Sequence, residues 1–377
     1  MSIVVREVTS HRDVREFIRL PYRLHRDDEN WLPPLIRDEK EYFDPKRNPA
    51  FRYCRVMMAL AWDGSMPVGR IMGVINTRHN AARNERTARF SCLETIDDAT
   101  VSGALLSAFE QWARGEGMDK AIGPFGFTDQ DPEGFLVEGY EHLATIATYY
   151  NKPYIIEHLA RHGYEKEIDW VVYKVDITKP LPDWYLAMHE RVRARSSCRL
   201  VEFRKRSELK RRMVPLFELM NECFEDIYGY APLDRAEMEY LTKKYLIALD
   251  PRFVKMVYDG DTMVGFFIAM PCLSEGLKRA NGRLFPFGVF HILHAYRTAK
   301  QLDLLLGGVK KTHQGRGVDI LMGVAMVESA RKAGMTMTDS HHELETNTKM
   351  RAENERLGGV IYKRYRLFRK FLDFRAQ

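Results

Sequence analysis

Leu302-Asp303-Leu304-Leu305-Leu306-Gly307-Gly308-Val309-Lys310-Lys311-Thr312-His313-Gln314-Gly315-Arg316-Gly317-Val318 decides the reading of this 377-residue chain. An apolar run of strand character gives way to a Gly-rich turn, and a helix opens at Gly317 or Val318. A turn of this kind aims several backbone N–H groups, and the positive end of a helix dipole, at one point. A phosphate placed there is held largely by the backbone. Neither nucleotide fingerprint is present: there is no Gly-x-x-x-x-Gly-Lys-Ser/Thr, and no Gly-x-Gly-x-x-Gly follows a strand.

Bulk composition narrows the classes. Hydrophobic content of 45% with 29% charged residues is that of a globular protein with a substantial core, and the length suits two domains. A formal charge of +6 is small for the length, so no nucleic-acid partner is expected. The five cysteines (Cys54, Cys92, Cys198, Cys223, Cys272) are scattered and form no Cys-x-x-Cys pair. That pattern fits reduced thiols in the cytoplasm, not a disulfide framework or a zinc site. Met1-Ser2-Ile3-Val4-Val5-Arg6-Glu7-Val8 reads as a strand and lacks the apolar run of a signal peptide. No segment reaches ~18 uninterrupted apolar residues, the length a spanning helix needs. The expected location is cytoplasmic, with peripheral contact at the inner membrane as an extension.

Gln314, Gly315, Arg316, Gly317 and Val318 resemble the pyrophosphate loop of the GNAT superfamily of acyl-CoA N-acyltransferases, Gln/Arg-x-x-Gly-x-Gly/Ala. Asp319 departs from the pattern, which places a small residue there. The order continues downstream with a helix Val318–Ala333, a stop at Gly334, a strand from Met335 to Glu345, Asn347, and a short helix ending Arg356-Leu357-Gly358-Gly359. In the family an Asn at this point contacts the pantetheine arm, and the resemblance assigns that contact to Asn347. The family's Phe after Leu-Gly is replaced by Gly359. The Tyr that often protonates the leaving thiolate falls at Asn354, or at Glu355 if one residue is inserted.

Four further stretches are similar to a bacterial family of duplicated GNAT proteins. They are Phe17-Ile18-Arg19-Leu20-Pro21, Trp31-Leu32-Pro33-Pro34-Leu35, Gly282-Arg283-Leu284-Phe285-Pro286-Phe287-Gly288, and the ending from Gly358 to Arg366. Some members of that family are ceramide-synthase-like, passing a fatty acyl group to a sphingoid amine.

A weak internal repeat supports duplication. Asp63-Gly64, Gly69 and Asn151 recur at one constant spacing as Asp259-Gly260, Gly265 and Asn347. The first half reads as a strand Ile3–Val8, a helix from His11, a hairpin Val56–Trp62/Val68–Asn76, Phe90–Thr95, Ala99–Arg114, Lys120–Gly123, Pro153–Arg161 and Asp169–Val175. In the second half the elements are Arg199–Arg204, helices Glu208–Phe224 and Arg235–Leu249, a hairpin Phe253–Tyr258/Met263–Met270, Leu302–Lys311, the loop helix, Met335–Glu345, Met350–Leu357 and Ile361–Phe368. The expected fold is α/β with a mixed α+β sheet, in two tandem GNAT-like domains at 1–178 and 183–377. Each would be a mixed, mostly antiparallel sheet flanked by helices. Where the second half carries its glycine loop, the first has Asp97-Asp98, and two acids repel a pyrophosphate. The first domain is therefore expected to be degenerate, and the second to carry the acyl-CoA site.

Acyl transfer to a primary amine needs a neutral amine, a polarised thioester carbonyl and an exit for the thiolate. The resemblance implies acyl-CoA as cosubstrate, with no prosthetic group and no metal. Gly308, Val309, Lys310, Gln314, Gly315, Arg316, Gly317, Val318 and Asn347 are the expected binding residues. The strand is expected to bend at Gly307-Gly308, freeing N–H groups near Gly308 and Val309 to polarise the carbonyl. The thioester carbon would sit in the gap between Leu302–Lys311 and Met335–Glu345.

His341, His342, Glu343 and Glu345 crowd the second of these strands, and Asp303 lies on the first. Alternation puts His341, Glu343 and Glu345 on one face and His342 on the other. The catalytic candidates are Glu345, His342, Glu343 and Asn354, the last an amide that donates a hydrogen bond but gives up no proton. His-His-x-x-Glu also spells a metal pattern, but it lacks helical spacing and a distant third ligand.

Two insertions fall outside the repeat. Pro124–Tyr150 reads as a lid, an acceptor-binding loop or a plain connection. Gly282–Tyr296 reads as a core helix, the wall of an acyl-chain channel, or a membrane contact. The partners expected are acyl-CoA and a small or lipid-like amine. Asp319 and the missing Tyr motivate a second reading, a catalytically silent acyl-CoA-binding or scaffold protein. A third is aminoacyl transfer from tRNA on a related duplicated fold.

Overall fold

The computed structural model describes residues 2–246 and 248–372. The chain separates into two compact units: Met1–Val171 with Leu273–Ala295 and Lys363–Gln377, and Val172–Cys272 with Tyr296–Tyr362. This differs from a division at 178/183, because the Gly282 insertion and the end of the chain join the first unit. The divisions near Val171 and Tyr362 fall inside the strands Glu165–Asp176 and Val360–Phe371.

In the first unit, Ile3–Glu7, Cys54–Asp63, Met66–Asn76 and Thr87–Thr95 pair antiparallel in that order, and Lys120–Gly123 adds in parallel. The helix Ala99–Gly115 covers them. Asp98 caps it by accepting from Thr100 N at 2.8 Å, and Val101, Leu105, Leu106, Phe109 and Ala113 form its buried stripe. Gly69 lets the helix settle on the hairpin, since a Cβ there would lie 2.8 Å from Leu105 Cδ1. The Pro124–Tyr150 insertion is not a loose lid. Phe125, Phe127, Phe135 and Leu136 are buried, Phe135–Glu138 is a strand, and Asn151 Oδ1 accepts from Leu136 N at 2.7 Å.

The second unit repeats the plan. Cys198–Glu202, Val254–Asp259, Thr262–Pro271 and Gln301–Val309 pair antiparallel, and Met337–Asp339 adds in parallel. Gly265 takes the place of Gly69: its Cβ would lie 2.6 Å from Val318 Cγ1 of the helix Val318–Lys332. Each hairpin carries the same bulge one residue earlier, at Val68 and at Val264. Each unit is thus a mixed, mostly antiparallel sheet with helices, as the sequence implies.

The last strands correct the expected pairing. In the first unit, Lys120–Gly123 pairs with the chain's C-terminal strand, Phe368↔Gly123 to Phe371↔Lys120. In the second, Met337–Asp339 pairs with Lys174–Asp176. The reason lies in charge. The acids Glu165, Glu167 and Asp169, at alternate positions of the strand Glu165–Asp176, meet arginines of the C-terminal strand. Arg366 bonds Asp169 twice, at 2.8 and 3.0 Å, and Arg369 reaches Glu165 at 2.9 Å and Glu167 at 3.1 Å.

Smaller differences have local causes. The expected helix Glu208–Phe224 is two, Arg206–Lys210 and Met213–Phe224, with Pro215 in the first turn of the second, where a proline suits a helix start. Arg235–Leu249 is helical over Arg235–Tyr245, and Ile247 lies outside the described residues. Among the described residues no helix is long and apolar enough to cross a membrane.

Candidate functional site

The strand Gln301–Val309 positions the site. Its register against Thr262–Pro271 jumps between Ile268↔Leu306 and Ala269↔Leu304, so Leu305 is the extra residue. The bulge is therefore at Leu305, not at Gly307-Gly308 as expected. Those glycines have a packing role instead: a Cβ on Gly308 would lie 2.8 Å from the Phe266 ring and 3.1 Å from Cys223 Cβ. On its other edge the strand pairs with Met337–Asp339 only from Gln301 to Asp303. Beyond Asp303 the two strands part, and Leu304 to Val309 run on without that neighbour. The fork lies between the two strands that the sequence reading set on either side of its expected gap.

Two carboxyl groups stand at the fork, since Asp303 and Asp339 are the last paired residues and both are fully buried. Gln301 Nε2 donates to Asp303 Oδ1 at 2.8 Å. His341 N donates to Asp339 Oδ1 at 2.8 Å, its ring Nδ1 lies 3.3 Å from the same oxygen, and the Tyr362 hydroxyl donates to Oδ2. Burial raises the Asp303 pKa, helped by the charge on Asp339. Burial also resists ionisation of Asp339, but His341 and Tyr362 outweigh it and hold that group below the usual carboxylate range. One member of the pair thus keeps a proton more readily than the other.

The segment Met335–Glu345 is not one strand. It breaks after Asp339, and His341 sits at φ +57°, a left-handed conformation strained for a non-glycine residue. A two-residue strand, Glu343–Leu344, follows. The expected alternation of faces therefore does not apply to His341, His342, Glu343 and Glu345.

Glu343 is the carboxyl that stands out. Asn354 Nδ2 donates to its Oε1 at 2.7 Å, while Oε2 accepts no hydrogen bond among the described residues. Burial pushes its pKa up to about 7, with Glu353 adding to the rise and Asn354 opposing it. A carboxyl poised there exchanges protons at neutral pH. Asn354 is itself buried and also donates to Met350 O at 3.2 Å, so it acts on Glu343 as a holder. His342 and Glu345 are half-buried on the same stretch, and the Glu345 carbonyl accepts from Arg351 Nη1 at 3.0 Å. Asn347 is exposed and caps the helix Thr348–Arg356, accepting from Met350 N at 3.4 Å. Tyr173 brings a phenol to this helix, donating to Glu355 Oε1 at 2.8 Å and accepting from Arg351 Nε at 3.2 Å. It is fully buried, and so anchors the helix.

The glycine loop closes the strand's far end. Lys310 N makes the last rung to Val264 O at 2.9 Å, and a single 3-10 turn, Lys311–His313, follows. Gly315 and Gly317 then take φ values of +71° and +80°, where glycine is favoured. Gln314, Gly315 and Arg316 are exposed, and Gly317 and Val318 are buried beneath them. Among the described residues no side chain caps the helix Val318–Lys332 at Gly317, and the N–H groups of a helix's first turn have no intrahelical acceptor.

The charges around this loop are unevenly committed. Lys310 pairs with Glu222 at 3.1 Å and Lys311 with Asp226 at 2.7 Å, whereas Arg316 forms no salt bridge among the described residues. Asp319 acts on Tyr185 and Glu353, raising the pKa of both alongside burial. Cys198, Asp259 and His313 bring one ligand atom each within 4.8 Å of one another, the one donor set found that could hold a metal among the described residues. His313 Nε2 already lies 3.2 Å from Asp259 Oδ2, so the group is satisfied without an ion.

Asp339, Gln301 and Tyr362 are site residues that the sequence reading missed. A carboxylate at the end of a short apolar strand, matched by Asp303 on its neighbour, was the signal available.

No family model matches the chain. The chain is similar over nearly its whole length to two curated proteins. Protein YghO of Escherichia coli (strain K12) is 29% identical over 97% of this chain and 95% of that one. The bacterial ceramide synthase of Caulobacter vibrioides (strain NA1000 / CB15N) is 28% identical over 97% and 96%. Among solved structures, the tandem GNAT protein from the clavulanic acid biosynthesis pathway, without acetyl-CoA, superposes with a TM-score of 0.55 at 14% identity, covering 99% of each chain. The fold is that of the tandem GNAT proteins, as the sequence resemblance implies.

Proposed function

We propose that the protein is an acyl-CoA-dependent N-acyltransferase whose second unit holds the donor. The observation that carries this is the fork beyond Asp303 and Asp339, continued by a glycine loop that is exposed from Gln314 to Arg316 at a helix N-terminus. A diphosphate on the N–H groups of Gln314 to Val318 leaves its pantetheine arm to run along the unpaired edge of Leu304–Val309. Gly308 and Val309 lie on that edge, Lys310 follows at its end, and Asn347 is assigned to the same arm. The amine nitrogen attacks the thioester carbonyl; the C–N bond forms, the C–S bond breaks, and the second proton that the nitrogen sheds passes to the leaving sulfur, so coenzyme A departs as the thiol. Glu343 takes the proton from the incoming ammonium, since burial pushes its carboxyl up to about 7. Asn354 positions it. No prosthetic group or metal has a part in this reaction.

The likeness to the ceramide synthase of Caulobacter vibrioides favours a long-chain acyl donor and a lipid-like amine. In the first unit Asp97-Asp98 replaces the glycine loop, and Asp98 is spent capping its helix, so that unit is assigned no donor.

The test is release of free thiol from acyl-CoA thioesters of graded chain length, with and without a long-chain amine. The proposal requires amine-dependent release, one amide per thiol. Tight binding without turnover points to a silent acyl-CoA binder, and a requirement for charged tRNA points to aminoacyl transfer.

Two expectations attach to the site. Gly315→Asp places a carboxylate in the loop where a Cβ meets nothing within 4 Å, and Asp tolerates the left-handed conformation. The KM for acyl-CoA should rise by about tenfold or more from charge repulsion, with little loss of stability. Gly317 does not offer this test, because its Cβ would lie 2.4 Å from Val192 Cγ2 and the helix would shift. The second concerns pH. Glu343 must be ionised to accept a proton, so kcat should fall as pH drops through about 7. A flat profile from pH 6 to 8 argues for another base.

A further inference from the structure

The Gly282–Tyr296 insertion forms a short loop and the helix Gly288–Thr298, and its large side chains face outward. Phe285 is 76% exposed, Phe287 69%, Phe290 65% and Leu293 47%. Phe290, Leu293 and His294 follow at helical spacing, so the loop phenylalanines continue into an exposed stripe. Such a patch is rare on a monomer surface without a partner.

The patch is held in place. Gly282 sits at φ +74°, where a Cβ would lie 2.5 Å from the Tyr22 hydroxyl oxygen, and its carbonyl accepts from Ile36 N at 3.0 Å. At Gly288 a Cβ would lie 1.8 Å from Arg283 O. Alongside runs a groove of about 330 Å³, whose apolar floor includes Leu35, Ile36 and Leu284 and whose polar lining is entirely cationic. Of those cations, Arg37, Lys40 and Arg283 are exposed and pair with no acid among the described residues, while Arg47 is engaged by Glu41 at 2.7 Å. From Gly276 to Ala295 the chain carries Lys278, Arg279 and Arg283 and no acid.

We propose that this face docks on the surface of an anionic lipid bilayer. Phe285, Phe287 and Phe290 enter the boundary between headgroups and acyl chains, and Arg37, Lys40 and Arg283 meet lipid phosphates. Charge selects this occupant. A second copy in a two-fold contact would set these cations against themselves. The docking proposed is peripheral, and among the described residues no helix is long and apolar enough to cross a membrane. The inference goes beyond the transferase reading and uses none of its residues.

The test is sedimentation of the full chain, without acyl-CoA, with vesicles of phosphatidylcholine alone or mixed with phosphatidylglycerol. Binding should require phosphatidylglycerol and weaken with salt. The variant Phe285→Ser/Phe287→Ser/Phe290→Ser should bind at least about tenfold more weakly with an unchanged circular dichroism spectrum, since its altered side chains are exposed. Arg37→Glu/Lys40→Glu/Arg283→Glu should lose the preference for acidic lipid. No binding by the wild type, or equal binding by the serine variant, overturns the proposal. So does self-association that the serine variant abolishes when no vesicles are bound. Thiol release is measured without vesicles, so the failure of either reading is distinguishable from the failure of the other.

Discussion

Glu343→Gln is expected to lower kcat for acyl transfer by roughly 10²–10⁴-fold, the range general-base removal usually shows. The amide is isosteric, and its oxygen can still accept from Asn354 Nδ2, so acyl-CoA binding should change little. Stability should move the opposite way. A carboxyl whose folded pKa is raised from 4.5 to about 7 binds a proton more tightly when folded, so the fold loses stability as pH rises between those values. At pH 8 the neutral Gln avoids that cost, and the Tm of the variant should equal or exceed that of the wild type. Lost activity with raised Tm would separate a catalytic role from a structural one. Asn354→Ala gives the companion result: removing a bond that favours the ionised form should shift the acid limb of the pH profile upward. If both variants keep wild-type kcat and profile, Glu343 is not the base.

Arg366→Met should destabilise the first unit by about 1–3 kcal/mol, the usual cost of removing hydrogen bonds from a buried polar group, with Lys166 left to offset part of the charge. Asp169 is 1% exposed, takes bonds of 2.8 and 3.0 Å from Arg366, and has Lys166 Nζ at 3.1 Å. Burial alone would raise its pKa; the bonds from Arg366 and Lys166 hold it below the ordinary value. The stabilisation is therefore present above the ordinary carboxylate pKa and lost as pH falls through the lowered one. Chemical denaturation at pH 7 measures the effect, and it should shrink as the pH is lowered towards that range. A loss below about 1 kcal/mol, typical of an exposed pair, would mean that the C-terminal strand does not depend on this contact.

Local chemistry made much of the fold legible. The paired Asp-Gly turns, the glycines at 69 and 265 that seat a helix, and the loop from Gln314 to Val318 each leave a mark in sequence, because each needs a particular residue type. The strands that complete the two sheets left a subtler mark. Asp169–Val175 and Ile361–Phe368 both have the right period, and it is the match of the acids Glu165, Glu167 and Asp169 to Arg366 and Arg369 that tells which neighbour each takes. At the site, the loop and Glu343 were visible as residue types. Asp339 was not singled out, because its significance comes from standing opposite Asp303 where two strands part. The bulge was misplaced for a related reason: glycine marks where a bulge is cheap, but the register against Thr262–Pro271 puts the extra residue at Leu305.

Amide hydrogen exchange with and without coenzyme A tests the central claim most directly. Residues 310–321, which span the loop and the first turn of its helix, should gain protection, together with the unpaired edge at 304–309. The matching turn of the first unit, 95–103, should exchange at an unchanged rate. Protection confined to the first unit, or none at saturating coenzyme A, would contradict the assignment of the donor site.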